Sequence, residues 1–296
     1  VKLSSEHFLE VTDLTNEEIL EILELAKLVK TQPLEYSGVL KNKKIGLYFQ
    51  KPSMRTRVSF EVGVHELGAN PISLNASEIQ LGTRESIEDV SQVLSRYIDG
   101  IVMRVYSHSD LERFSKTGNL GVINGLSDMT HPCQALADAQ TIIEKKGSGR
   151  HKLVYVGDGN NVCNSLLRIG KMIGLEMTVA CPPGYEPFVS RSEVEYVIEH
   201  DPLKAVENAD IIYTDVWTSM GREKETYLRK KIFASYQVNA NMLSKAKSDC
   251  IFMHCLPAHR GEEVSESVMS SPNCVVIDQA ENRLHAQKAL MIKLFS

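Results

Sequence analysis

The stretch Lys51-Pro-Ser-Met-Arg-Thr-Arg57 packs three cations and two hydroxyls into seven residues, immediately before the apolar run VSFEVGVHEL. Pro52 followed by Ser53 predicts the start of a helix. The first N–H groups of a helix have no internal partner and lie at the positive end of its dipole. Backbone donors from Met54 onward, the Ser53 and Thr56 hydroxyls and the Arg55 guanidinium together make a phosphate cradle. Taken alone, the same pattern also describes a capped helix with solvated arginines.

Further chemistry-bearing groups stand at Arg104, at His131-Pro132-Cys133-Gln134 and at His254-Cys255-Leu256-Pro257. The elements around them decide whether they meet. KKIGLYFQ, ANPISLN, GIVMRV, LGVINGLS, KLVYVGD, EMTVACP, ADIIYTD, CIFMHCLP and CVVIDQ read as strands, and helical patterns separate most of them. The helical segments include LTNEEILEILELAKLVKT with Thr15 or Asn16 as N-cap, SIEDVSQVLSRY, SDLERFSKTG, HPCQALADAQTIIEKKG, NVCNSLLRIGKMIG, SEVEYVIEH, NANMLSKA and the tail AENRLHAQKALMIKLF. In parallel α/β sheets, ligands bind beyond the carboxyl ends of the strands. The polar groups fall there: KPSMRTR after GLYFQ, Arg104 at the end of IVMR, SDMTHPCQ after VINGL, GDGNN after VYV, DVWTSMG after IIYT and CLPAHRG after FMH.

At about 100–200 residues per domain, 296 residues predict two domains. GSGR at 147–150 reads as the linker. The expectation is two α/β domains, each with a central parallel sheet flanked by helices: residues 1–146, then 147–279, with a helix over 280–296 packing back on the first. A shared cleft would hold the active site.

Hydrophobic content of 43% and charged content of 24% are those of a globular protein with a core. A net charge of −5 argues against nucleic acid as a partner, so the cationic cluster is local and suits a small anion. No run of 18 apolar residues predicts a membrane span, and the start lacks a basic-then-apolar signal pattern. Six scattered cysteines without C-x-x-C fit a reducing, cytoplasmic setting rather than a disulfide framework. His254, Cys255 and His259 are close in sequence but lack metal-site spacing.

FQKPSMRTRVSFE, HPCQALAD and HCLPAHRGEEV, in this order and at strand ends, resemble the carbamoyl-phosphate signatures of the carbamoyltransferase superfamily. The resemblance runs over nearly the whole chain. DVWTSMG, from Asp215 to Gly221, resembles the ornithine-binding loop within that superfamily. It implies transfer of a carbamoyl group from carbamoyl phosphate to the δ-amine of ornithine, giving citrulline and phosphate, in arginine metabolism and in the biosynthetic direction. No metal and no organic cofactor are implied. Ser53, Met54, Arg55 and Thr56 would hold phosphate; Arg104, His131 and Thr56 would donate to the carbonyl oxygen. Gln134 and the Leu256 carbonyl, aimed by a cis Leu256-Pro257 bond, would accept from the carbamoyl NH₂. Arg283 in AENRLHAQ resembles a further arginine near the carbamoyl oxygen.

For the second substrate, the resemblance implies that Asp215 pairs with the α-ammonium, while Asn161, Ser219 and Met220 hold the α-carboxylate. A putrescine-using relative would have no carboxylate to hold, an aspartate-using one would need more cations, and an N-acylornithine-using one could not pair with Asp215. Cys255 beside His254 has two readings, a covalent nucleophile or a group near the δ-amine paired with Asp215; the second is preferred, because carbamoyl phosphate is already activated. Gln80 in SEIQLGTRES matches a residue lent to a neighbouring subunit's phosphate site, which implies a homotrimer or a multiple of trimers. WTSMGREKETYLRKK is expected to be a loop that closes over ornithine.

Two other classes compete. A nicotinamide-dependent dehydrogenase would explain GDGNNV, but Val162 stands where G-x-G-x-x-G needs its third glycine. A non-catalytic homologue would lack donors from the constellation, and only Met54 departs, where the common version has Thr.

Overall fold

The computed structural model describes residues 3–218 and 223–296. The chain divides into two compact units, Val1–Gln140 with Glu281–Ser296, and Thr141–Ala280.

In the first unit, α1 (Asn16–Thr31) opens with a reciprocal capping box: Glu18 N–H bonds Thr15 Oγ1 at 3.3 Å, and Thr15 N–H bonds Glu18 Oε2 at 2.8 Å. Then follow β1 (Lys44–Phe49), α2 (Met54–Glu66), β2 (Asn70–Asn75), α3 (Ala76–Ile79), α4 (Ile87–Leu94), β3 (Gly100–Arg104), α5 (His108–Ser115), β4 (Gly121–Leu126) and α6 (Pro132–Lys146). The strands form a parallel sheet in the order β2-β1-β3-β4. Its central strand β3 is buried along its whole length, as expected where both faces are covered. Tyr48, Ile101, Met103 and Val122 pack on one side with Leu111 and Phe114 of α5.

The second unit holds β5 (Lys152–Val156), α7 (Asn161–Met172), β6 (Glu176–Ala180), β7 (Val197–Glu199), α8 (Pro202–Ala205), β8 (Ile211–Thr214), α9 (Thr226–Ile232), α10 (Ala240–Leu243), β9 (Ile251–His254) and α11 (Glu266–Met269). Its sheet is also parallel, ordered β7-β6-β5-β8-β9. Helix α12 (Val276–Phe295) carries the chain from the second unit back into the first.

Within the first unit, the last turns of α12 lie against α2. Gly63 permits a close approach there: a Cβ would lie 3.1 Å from Lys288 Cγ and 3.2 Å from Met291 Cε, so both side chains would have to shift. The buried Lys288 ammonium meets Glu66 at 2.5 Å, and the Gln287 amide donates to Ser59 Oγ at 2.8 Å.

Two short apolar segments differ from the sequence expectation. SEVEYVIEH is not helical; Val194 and Tyr196 are buried anchors of a loop, and Val197–Glu199 form edge strand β7 against β6. CVVIDQ is not a strand. Cys274 makes a single bridge to Phe252, and Val276 already begins α12. In both cases a short apolar run was compatible with either period.

Candidate active site

In each sheet the strand order reverses at one point, between β1 and β3 in the first unit and between β5 and β8 in the second. The loops leaving those strands carry most of the site residues.

In the first unit, Ser53 is the extended N-cap of α2, yet its side chain makes no cap bond. Its hydroxyl instead accepts from Arg104 Nη1 at 3.1 Å. The positive end of α2 is therefore not consumed by its own cap. Arg104 ends β3 at a register shift, where Met103 faces Asn124 but Arg104 faces Leu126. Such a bulge re-aims the side chain that follows it. Thr56, buried one turn into α2, accepts from Arg283 Nη2 at 3.3 Å. Arg283 also donates from Nη1 to Gln134 Oε1 at 2.8 Å and from Nε to Gln287 Oε1 at 3.0 Å. The Gln134 Nε2 group donates to Asp138 Oδ1 at 2.8 Å.

His131 immediately precedes α6. The loop before it is tied internally: Asn124 Nδ2 donates to Thr130 Oγ1 at 3.0 Å, Thr130 N–H to Ser127 Oγ at 3.2 Å, and His108 Nδ1 lies 2.8 Å from Ser127 Oγ. Burial, and then the charges of Arg283, Arg104 and Arg55, push the His131 imidazole well below its ordinary value of 6.5. At neutral pH it is an uncharged ring among cations, a donor from one nitrogen only.

Met54 is 68% exposed, so its side chain takes no part in this network within the single chain. Arg57 is turned away into an exposed i,i+4 pair with Glu61 at 3.2 Å. Gln80 is exposed, in left-handed conformation at φ +48°, with its amide donating to Ser77 O at 3.1 Å.

In the second unit, Asp215 follows β8 and is buried. Its Oδ1 accepts from Cys255 Sγ at 3.0 Å and its Oδ2 from Asn160 Nδ2 at 2.7 Å. Asn160 is the N-cap of α7: its Oδ1 accepts from Val162 N–H at 3.0 Å, Cys163 N–H at 3.1 Å and Tyr155 O–H at 3.2 Å. The cap fixes which end of the amide is oxygen, and that leaves the NH₂ end toward Asp215. Asn161, singled out in the sequence, sits one residue on and bonds its neighbour Val162 N–H through its own Oδ1 at 3.0 Å.

The GDG glycines here serve backbone approach. A Cβ at Gly159 would lie 2.2 Å from Pro187 N, and Gly157 has φ +138°. That chain segment crosses close over Gly159, which accounts for the glycine without a dinucleotide.

Asp158, in the same turn, accepts from Arg229 Nη1 at 2.7 Å. Arg229 also donates to Trp217 O at 2.9 Å and Glu225 Oε2 at 2.8 Å, and its guanidinium lies 5.0 Å from the Tyr185 ring centre. This buried cation thus ties Trp217 of the DVWTSMG stretch, and Glu225 beyond it, to the GDGNN turn. Ser219 and Met220 lie outside the described residues, as do positions 221 and 222 of the expected closing loop, whose second half is not loop but the helix α9.

Beyond β9, the Leu256-Pro257 bond is cis and Leu256 has φ +56°. Leu256 N–H donates to His254 Nδ1 at 2.8 Å, so the ring proton is on Nε2, 3.1 Å from Glu263 Oε1. His259 N–H donates to the same oxygen at 2.6 Å. Asp215, His254 and Cys255 have ligand-type atoms within 4.8 Å of one another, but both His254 nitrogens are engaged in this loop, which leaves none to coordinate a metal.

Asn160, Asp158, Arg229, Glu263 and Asp138 were not singled out from sequence. Asn before a helical run is an N-cap signal and marks Asn160. Arg229 sits in the basic run LRKK, which gives no hint that one of its cations is buried.

A family model described as the aspartate/ornithine carbamoyltransferase, carbamoyl-P binding domain matches residues 6–144, and one described as the Asp/Orn binding domain of the same family matches 150–294. A protein of Thermococcus kodakarensis named ornithine carbamoyltransferase is 51% identical over 98% of this chain and 96% of its own. One of Pyrococcus furiosus, named ornithine carbamoyltransferase, anabolic, is 52% identical over 98% and 96%. A solved structure of the ornithine carbamoyltransferase from Pyrococcus furiosus superposes with a TM-score of 0.94 at 50% identity, covering 100% of this chain and 99% of that one.

Proposed function

The chain belongs to the aspartate/ornithine carbamoyltransferase family, and from that premise we propose that it is an ornithine carbamoyltransferase acting in arginine biosynthesis. The observation that carries this reading is the cation set of the first unit. Ser53 and Thr56, flanking the α2 start, each receive a guanidinium, from Arg104 and Arg283, around an uncharged His131. This is a site for a dianion bearing a carbonyl.

The phosphate of carbamoyl phosphate sits on the α2 N-terminus, held by the N–H groups from Met54 onward, Ser53, Arg55 and Thr56. The carbonyl oxygen faces Arg104, His131 and Thr56. As the δ-amine attacks, the C–N bond forms, the C–O bond to phosphate breaks and the amine's proton passes to the departing phosphate, which leaves as hydrogen phosphate. Negative charge grows on the carbonyl oxygen, and each aimed donor there is worth about 3–4 kcal/mol. His131 does this as a neutral N–H, with no proton transfer of its own. Gln134 Oε1 accepts from the carbamoyl NH₂, and Arg283 steadies both Gln134 and Thr56.

Ornithine is held by the second unit. Asp215 takes the α-ammonium, with Asn161, Ser219 and Met220 on the α-carboxylate. Cys255, bonded to Asp215, lies near the δ-amine and positions it. The amine must be neutral to attack, against an ordinary alkylammonium pKa near ~10.4. The cations held around carbamoyl phosphate favour the neutral form.

We read the assembly as a homotrimer or a multiple of trimers, in which the exposed Gln80 reaches a neighbour's phosphate site. Its support is the exposed, left-handed Gln80 loop and, on α2, an exposed apolar row of Met54, Val58 and Val62. Active monomers in sedimentation would contradict this. Six free thiols fit a cytoplasmic setting.

The function is tested by a pair of variants. Arg104→Gln raises KM for carbamoyl phosphate or lowers kcat by about a hundredfold and leaves KM for ornithine within about threefold; Asp215→Asn raises KM for ornithine by a similar factor. The same substrate affected in both variants would overturn the division of labour.

A further inference from the structure

We propose that Asp138 is a specificity-determining positioning residue, holding the Gln134 amide so that its oxygen faces the carbamoyl NH₂. The inference rests on the proposed function and deepens it. Gln134 and Asp138 are i and i+4 on α6, both buried. Arg283 has only donors, so the atom it meets at 2.8 Å must be the Gln134 oxygen. The Asp138 oxygen 2.8 Å from the other end then accepts from Nε2. The amide is gripped at both ends, and its orientation is set by charge rather than by packing.

The consequence is chemical discrimination. A carbonyl oxygen has two acceptor sites, and Arg283 uses one. The other is offered to a ligand N–H, which carbamoyl phosphate has and acetyl phosphate, its methyl isostere, lacks. A buried acceptor facing a methyl is left unpaired, which makes such a site reject the isostere. Without Asp138, the Nε2 end loses its acceptor and the amide is free to turn about Arg283. The discrimination then falls while the phosphate cradle, built from other residues, is unchanged.

The test is the ratio of dissociation constants for acetyl phosphate and carbamoyl phosphate, titrated by calorimetry, with inorganic phosphate as control. Asp138→Leu keeps the branched heavy-atom skeleton and removes the acceptor. The ratio should fall about tenfold, equivalent to about 1.4 kcal/mol, with phosphate and acetyl phosphate affinities moved by less than ~threefold. Asp138→Asn keeps an acceptor oxygen and should restore most of the ratio. In a Gln134→Ala background, Asp138→Leu should change the ratio no further. Asp138→Ala supplies the same readout should the leucine misfold. A wild-type preference that survives loss of Asp138, or equal weakening of all three ligands, overturns the role of Asp138. A wild-type chain with no preference for carbamoyl over acetyl phosphate overturns the proposed function as well.

Discussion

The Cys255 thiol donates to Asp215 Oδ1 across 3.0 Å, which joins the ends of β9 and β8. Asn160 holds the other carboxylate oxygen at 2.7 Å. A thiol so engaged is a hydrogen-bond donor to a carboxylate, which suits a positioning role. Cys255→Ser preserves the donor, so it should keep turnover within about tenfold. Mass spectrometry of enzyme quenched during turnover should find no carbamoyl group on Cys255; a trapped carbamoyl-thioester would make the residue a nucleophile.

The depressed His131 pKa has a thermodynamic counterpart. The unfolded chain takes up a proton near 6.5, and the folded chain does so only well below that. Between those values the unfolded state binds more protons, so stability is fully present above the unfolded pKa and declines as pH falls below it. The slope is up to about 1.4 kcal/mol per pH unit from this one group. His7 and His285, also lowered chiefly by burial, act in the same direction. Urea denaturation at a series of pH values from neutral to mildly acid measures the slope, and His131→Asn should reduce it. An unchanged slope would mean that His131 titrates normally in the fold.

The buried Arg229 joins Asp158 and Trp217 O, and also pairs with the exposed Glu225. Arg229→Met leaves the Asp158 carboxylate without its cation, and removing one partner of such a pair costs about 3–5 kcal/mol. Thermal denaturation should show the loss, and KM for ornithine should rise with KM for carbamoyl phosphate unaffected. Asp158→Asn together with Arg229→Met should recover part of the stability, because no charge is then stranded.

Met54 stands where a hydroxyl would add one donor to the cradle, but its exposed side chain lies outside the network of Ser53, Thr56, Arg104 and Arg283. On the proposed reading, its N–H, at the first position of α2, makes the phosphate contact. Met54→Thr should therefore change KM for carbamoyl phosphate by less than about tenfold, or about 1.4 kcal/mol. A hundredfold change in steady-state kinetics would assign the side chain a direct role.

Most strands and the larger helices were legible because each carries a strong period and a recognisable cap, as at Thr15 and Ser53. The donors proposed to hold phosphate could be picked out together because they are contiguous, Ser53 to Thr56 at the start of α2. Asn160 and Asn161 could not be told apart from spacing, because which of them caps α7 depends on where the backbone turns. The Asp138–Gln134–Arg283 chain spans 149 residues between its glutamine and arginine, a separation that no local pattern encodes. Edge strand β7 is three residues long, and its neighbours in SEVEYVIEH are buried as loop anchors rather than by any helical period.

The most direct measurement is carbamoylation at saturating carbamoyl phosphate with ornithine, N-acetylornithine and putrescine compared side by side. On the proposed reading, Asp215, anchored by Asn160 and Cys255, pairs with a free α-ammonium, and an α-carboxylate completes the recognition. The expected result is citrulline from ornithine, with kcat/KM at least about a hundredfold above either alternative, a difference of about 2.7 kcal/mol. Preference for N-acetylornithine, which has no α-ammonium to pair with Asp215, would contradict the account, as would turnover of putrescine at the rate of ornithine.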